Sequence, residues 1–362
     1  NSERGLGTLS TSTDYDPAAF DQVGKLGLGG LEISDDGLYL FVMNLYSKKV
    51  FRLTLNDANN PTSGVAITSY SLPTVSVVNG ELRPFALKYA NGKLYVGAVA
   101  SGESSPTDVN TNLRGYVFQL DNANSAASFS VAPILDFPLD YQKGTSDGGV
   151  TGIFWKPWTK DASKGVSTGA YAQVVMYTHP TPMLTDIDFT GSQDMILAFT
   201  DRSGHQWGQA NQRFLNTDSA SQLINYRIGG DILIAGYNCG TGLYTLENNG
   251  SYVSGNGTTY SSGASNNEGP GGSEFFLGDN YSGHKETSQG AIALLPGSNQ
   301  VVLTVMNPDI SHSGGVKKLR TTNGTQVTGS PYRIYLSSNG GTGFTYGKSN
   351  GLGDIEVMSV TP

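Results

Sequence analysis

Gly29-Gly30-Leu31-Glu32-Ile33-Ser34-Asp35-Asp36-Gly37-Leu38-Tyr39-Leu40-Phe41-Val42-Met43 is the stretch on which the fold turns. Apolar residues alternate up to an Asp-Gly pair, and a second apolar run follows at once. Gly accepts the positive φ of a tight turn, so the string predicts a β-hairpin. After Ser47-Lys48-Lys49 comes a third run, Val50-Phe51-Arg52-Leu53-Thr54-Leu55, and the first sixty residues read as a three-stranded meander.

The same grammar returns along the chain. Arg83-Pro84-Phe85-Ala86-Leu87-Lys88-Tyr89 passes through Asn91-Gly92 into Lys93-Leu94-Tyr95-Val96-Gly97-Ala98. Leu184-Thr185-Asp186-Ile187-Asp188-Phe189 passes through Gly191-Ser192 into Met195-Ile196-Leu197-Ala198-Phe199. Gln289-Gly290-Ala291-Ile292-Ala293-Leu294-Leu295 turns at Pro296-Gly297. With Gly148–Phe154, Gly229–Ala235 and Gly353–Met358 there are seven candidate first strands, about 36 to 65 residues apart. One meander cannot bury both of its faces, but meanders stacked radially can. The reading is an all-β fold, a β-propeller of seven blades with six as the next choice. A strand around Ile355 would pair with N-terminal strands to close the ring. Residues 1–362 form one domain, with polar loop insertions at about 101–113 and 248–273. A two-sheet sandwich is the rival, but at this length it would need about twice its ordinary strand number. One short helical stretch stands out, Asp16 to Val23.

Composition agrees. The 362 residues include 48 Gly and 15 Pro, and only 14% are charged. That excludes coiled coils and long helical bundles. The 19 Tyr, 14 Phe and 3 Trp supply a core and argue against disorder. A net charge of −8 repels phosphate backbones, so nucleic acid is not an expected partner. No run approaches a membrane-spanning length. Cys239 is the one cysteine, which excludes an internal disulfide and is read as a small buried hydrophobe. Low lysine content and Ser/Gly/Asn tracts suggest an exported bacterial protein, and the start at Asn1 fits a removed leader or a trimmed chain.

Candidate chemistry sits on first strands and two loops. Glu32, Asp186, Asp188 and Asp354 would converge near a propeller axis, where oxygen-rich rings suit Ca²⁺. The preferred reading is structural: such acids satisfy backbone donors and hold neighbouring blades in register. Arg83 is a candidate counter-charge. Asp201-Arg202-Ser203-Gly204-His205-Gln206-Trp207 forms a polar loop with binding potential, though an Asp–Arg pair holding a turn with Trp207 packed beside it is preferred. Asp279 to Glu286, which contains His284, is a second cluster at one mouth. Trp155 and Trp158 flank Lys156 and are read as core more readily than as a sugar-stacking platform. No HExxH, GxSxG or P-loop pattern occurs.

Leu26–Gly37, Arg83–Tyr89, Asp201–Gly204 and Gly351–Glu356 together resemble a family of large bacterial cell-surface proteins. In that family a propeller-like N-terminal region precedes SdrD B-like repeats of adhesin-like proteins. The resemblance runs from about Gly24 to Met358 and implies an exported, surface-associated and non-enzymatic chain. It carries over no catalytic residue. The resulting expectation is an extracellular recognition or structural module in adhesion or assembly, binding protein or glycan through loops or associating with itself. The alternative is a Ca²⁺-dependent propeller hydrolase of lactonase or phosphotriesterase type, with Glu32, Asp186 and Asp354 holding an axial ion and His205 or His284 as base.

Overall fold

The opening hairpin forms as its turn chemistry requires. In the computed structural model, which describes residues 16–55, 66–125, 127–144, 152–171, 174–212, 223–282, 284–336 and 351–357, Gly37 has φ +70°. Its N–H donates to Ser34 O at 2.8 Å. Asn91 and Gly92 both take positive φ, 52° and 75°, and join two strands as a two-residue turn.

Helix α1 (Pro17–Gln22) opens the described chain, with the Asp16 carboxylate capping the Ala19 N–H at 3.0 Å. Strands β1 (Leu28–Ile33), β2 (Tyr39–Asn44), β3 (Lys49–Thr54) and β4 (Ala66–Ser71) form an antiparallel meander. The second sheet is β5 (Leu82–Ala90), β6 (Lys93–Ala100), β7 (Arg114–Asp121) and β8 (Ser128–Phe129), with β9 (Leu135–Pro138) also on β7. Next in the chain come β10 (Val166–Tyr171), β11 (Val174–Thr178), β12 (Pro182–Phe189), β13 (Met195–Asp201), helix α2 (Arg202–Trp207), β14 (Gln209–Gln212), β15 (Leu223–Tyr226), β16 (Asp231–Asn238) and β17 (Leu243–Leu246). They divide into a mixed sheet β10-β11-β15-β14 and an antiparallel sheet β12-β13-β16-β17. A hairpin, β18 (Ser251–Val253) and β19 (Thr259–Ser261), precedes the last meander, β20 (Ser288–Leu294), β21 (Gln300–Met306), β22 (Ser313–Arg320) and β23 (Tyr332–Leu336).

Strand alternation shows how the sheets stack. On β6, Leu94, Val96 and Ala98 pack with Phe41, Met43 and Val50 of the first sheet. Its other face sends Tyr95 and Val99 into a cluster with Leu184, Leu197 and Phe199. On β13, Leu197 and Phe199 face that cluster, while Ile196 and Ala198 meet Ile292, Val301 and Leu303 of the last sheet. The sheets led by β5 and β12 are therefore buried on both faces, as blades are. A side chain at Gly97 would put its Cβ 2.7 Å from Leu184 Cδ2, so close sheet approach requires glycine there. First strands β1, β5, β12 and β20 neighbour one another in that order and all contribute to one central cavity.

Four of the seven expected first strands lead sheets in this way. Gly229–Ala235 does not: β16 is the third strand of the β12 sheet, paired with β13. Residues 148–151 lie outside the described residues, and Phe154 makes only an isolated bridge to Gln142. Residues 351–357 carry no strand pairing, although Gly351, Gly353 and Asp354 line the cavity. The four sheets led by β1, β5, β12 and β20 follow one another as an arc with two end sheets, and hydrogen-bonded closure is not seen among the described residues. The expected insertion at 248–273 contains β18 and β19.

Candidate functional site

The hub is built from residues on adjacent first strands. Asp186 and Asp188 stand two apart on β12, on one side of the strand. Asp186 Oδ2 accepts the Ile292 N–H at 2.8 Å and Asp188 Oδ2 accepts the Leu294 N–H at 2.6 Å. Glu32 on β1 likewise accepts from the Tyr89 backbone on β5. Each acid thus satisfies edge donors of the next first strand, which is the structural reading of the sequence. Lys88 Nζ lies 3.5 Å from Asp188 and 3.8 Å from Glu32. Burial pushes the Glu32 carboxyl up to about 7, against the pull of Lys88. Burial also drives Asp186 well above the carboxylate range, reinforced by the charge of Asp354. Burial alone would lower Lys88, but Asp188 and Glu32 hold it above its ordinary value.

One expectation at the hub is corrected. The counter-charge is Lys88, because Arg83 is engaged by Glu103 and by Glu81 at 3.1 Å. Of the expected axial metal set, Asp186 and Asp188 accept backbone amides, and Lys88 lies beside Glu32 and Asp188. Asp354 is exposed and caps its neighbour's N–H, from Ile355, at 2.8 Å. Beside these groups lies the cavity of about 430 Å³, lined by Gly29, Gly30, Phe85, Thr185, Gly290 and His205 among others.

The Asp201 segment is helix α2, where a loop was expected. Asp201 is its N-cap: Oδ1 accepts from Ser203 N at 3.0 Å and Thr181 N at 2.9 Å, and Oδ2 accepts from Tyr226 OH at 2.6 Å. Burial pushes its carboxyl up to about 7 despite the Tyr226 hydrogen bond. Arg202 is fully buried and does not pair with Asp201. It donates to Val23 O at 2.7 Å, Thr159 O at 3.1 Å and Asp21 O at 3.0 Å, tying α2 to α1. Trp207 stacks on Tyr226 and meets Phe20 edge-on. Trp155 and Trp158 are buried too: Trp158 donates to Pro182 O at 2.7 Å beneath Arg202, and Trp155 lies under Lys143. Asp201, Arg202, Trp207, Trp155 and Trp158, the sequence's candidate ligand-contacting groups, are thus all buried and engaged in packing or hydrogen bonds within the fold. His205 is exposed and lines the cavity, whereas His284 is buried and joined to Tyr281 by a backbone bridge. Cys239 is exposed, contrary to expectation.

A second polar centre lies between the β12 and β20 sheets. Glu268, Glu274 and Glu286 bring one carboxylate oxygen each within 4.8 Å of one another. Beside them are Asp279 and, at the start of β16, Asp231, whose Oδ2 accepts from Tyr141 OH at 2.5 Å. Burial drives Glu274 and Glu286 well above the carboxylate range and Asp279 to about 7, and neighbouring acids add to each shift. Lys143 and Lys317 are buried beside these acids. Asp279 and Glu286 are the end residues of the second polar stretch in the sequence, although His284 drew attention there. Glu268, Glu274, Lys143 and Lys317 were missed. For Lys88 a signal existed, a lysine between Leu87 and Tyr89 on an otherwise apolar first strand.

No protein-family model matches the chain. It is 26% identical to colossin-D of Dictyostelium discoideum over 350 residues, which is 95% of this chain and 32% of that protein. It is 28% identical to colossin-C of the same organism over 342 residues, 92% of this chain and 30% of that protein. The chain thus spans about a third of the length of these curated relatives. Among solved structures, a periplasmic gluconolactonase of Pseudomonas aeruginosa aligns with 12% identity and a TM-score of 0.35, covering 88% of this chain and 58% of that one. An endo-arabinase of Bacteroides thetaiotaomicron aligns with 11% identity and a TM-score of 0.36, covering 86% and 83%.

Proposed function

We propose that this chain is a non-catalytic, propeller-like module of an extracellular assembly, associating with protein partners or further copies of itself and contacting glycan through its loops. Export, surface association and an adhesin-like context belong to this proposal. The observation that carries it is apolar exposure on the two end sheets. Leu28 and Leu31 of β1 are 59% and 48% exposed where they line the cavity, Ile33 is 50% exposed, and Tyr332, Ile334 and Leu336 of β23 are 68%, 55% and 48% exposed. Apolar side chains clustered this way mark interaction surfaces. The hydrolase reading has less support, since its axial acids hold backbone amides and His284, one of its two alternative bases, is buried. No helix among the described residues is long and apolar enough to cross a membrane.

Sedimentation and a glycan panel test the proposal. The chain is expected to self-associate or to capture a ligand at micromolar concentration, and the paired variant Leu31→Glu, Ile334→Glu is expected to abolish self-association. Lactone or phosphotriester turnover that disappears in His205→Ala would overturn it.

A further inference from the structure

We propose that Glu268, Glu274 and Glu286 form a buried site for a divalent cation of the calcium class, distinct from the hub. The three carboxylates come from separate pieces of backbone: the loop after β19, the turn at 270–274, and the segment leading into β20. One oxygen from each lies within 4.8 Å of the others. Two oxygens bound to one Ca²⁺ at about 2.4 Å are at most about 4.8 Å apart, so the spacing is within the span that a single ion can bridge.

Two independent features ask for a cation. Glu286 is 1% exposed, and its Oε1 has no hydrogen-bond partner. Asp279, also 1% exposed, leaves both carboxylate oxygens without a well-formed hydrogen bond, the Ser288 amide giving partial relief. Buried carboxylate oxygens without donors are costly unless something positive meets them. Formal charge points the same way. Glu247 can be set aside, since its oxygens hold the Ile234 and Phe275 amides at 3.0 and 2.7 Å. The remaining acids are Glu268, Glu274, Glu286, Asp279 and Asp231, and they face Lys143, Lys285 and Lys317. Lys285 pairs with Glu268 at 3.1 Å, Lys143 lies over the Trp155 ring, and Lys317 donates to Gly278 O at 3.3 Å. If all five acids are ionised, five carboxylates against three ammoniums would leave two negative charges, which one divalent ion neutralises. Gly144 closes the site: a Cβ there would lie 2.8 Å from Glu286 Oε1. A buried, mainly carboxylate cage favours Ca²⁺ over Mg²⁺, which gives up its water reluctantly. The ion would pin the loop after β19 to the sheet that β20 begins.

The test is thermal melting of chelator-stripped chain with and without about 1 mM Ca²⁺, the range of extracellular modules, alongside equilibrium dialysis against labelled Ca²⁺. Wild type is expected to gain about 5 °C and to bind one ion per chain. Glu286→Gln is expected to lose both effects while Asp354→Asn, at the hub, keeps them. If Glu286→Gln fails to fold, Glu268→Gln gives the same reading. The proposal is overturned by a wild-type chain that neither binds nor is stabilised, or by binding that survives in both glutamine variants.

Discussion

Asp201 shows how a single residue couples this fold to pH. Burial pushes its carboxyl up to about 7 in the folded chain, from an ordinary value of 3.8. Between those values the folded chain keeps the proton and the unfolded chain has lost it. Stability from this group is therefore full at acid pH and falls as pH rises toward 7, by about 1.4 kcal/mol per unit. Glu32, also raised to about 7, acts in the same direction. Asp201→Asn keeps an acceptor for Thr181 and Ser203 and removes the titration. Urea unfolding of both proteins at several pH values between 5 and 7 should show wild type losing stability relative to the variant as pH rises. A constant difference across that range would refute this account. The sequence singled out Asp201 and Arg202 for their polarity. What it did not disclose is that their partners, Tyr226, Val23 and Asp21, come from distant segments, so a pairing between the two neighbours was the simplest local guess.

At the level of elements, the acids of β12 act as clasps on β20. Removing the Asp188 carboxylate leaves the Leu294 N–H without its acceptor and Lys88 without one counter-charge. Asp188→Ala is expected to cost about 1–3 kcal/mol, whereas Asp354→Ala, on an exposed segment, should stay within about 0.5 kcal/mol. Equal urea midpoints for the two variants would mean that the clasp contributes nothing. The hairpins around Asp36-Gly37 and Asn91-Gly92 were legible because turn and alternation are local signals. Strand β16 was misplaced for the opposite reason. Its leading Gly229-Gly230 repeats the Gly29-Gly30 of β1, yet its partner β13 lies beyond β14 and β15, and register across such a gap leaves no local trace. Helix α2 was read as loop because six residues scarcely nucleate alone and are held here by capping and tertiary contacts. The carboxylate chamber was hidden similarly, since its residues span positions 141 to 317.

For the whole molecule, the stacking order sets a stability gradient. Strands β6 and β13 are apolar on both faces because each lies between two neighbouring sheets. At the arc's ends, β4 and β23 are outer strands with mostly exposed residues. Local opening costs least where few buried apolar contacts are lost. Amide exchange under native conditions should therefore be slowest in β6 and β13, which open only with the whole fold, and fastest in β4 and β23. The proposed association sharpens the contrast, because its test surface includes β23. Raising protein concentration should slow exchange in β23 while leaving β6 and β13 unchanged. Concentration-independent rates in β23 would separate the exposed apolar residues from assembly, and protection spread evenly over the four sheets led by β1, β5, β12 and β20 would contradict the open arc itself.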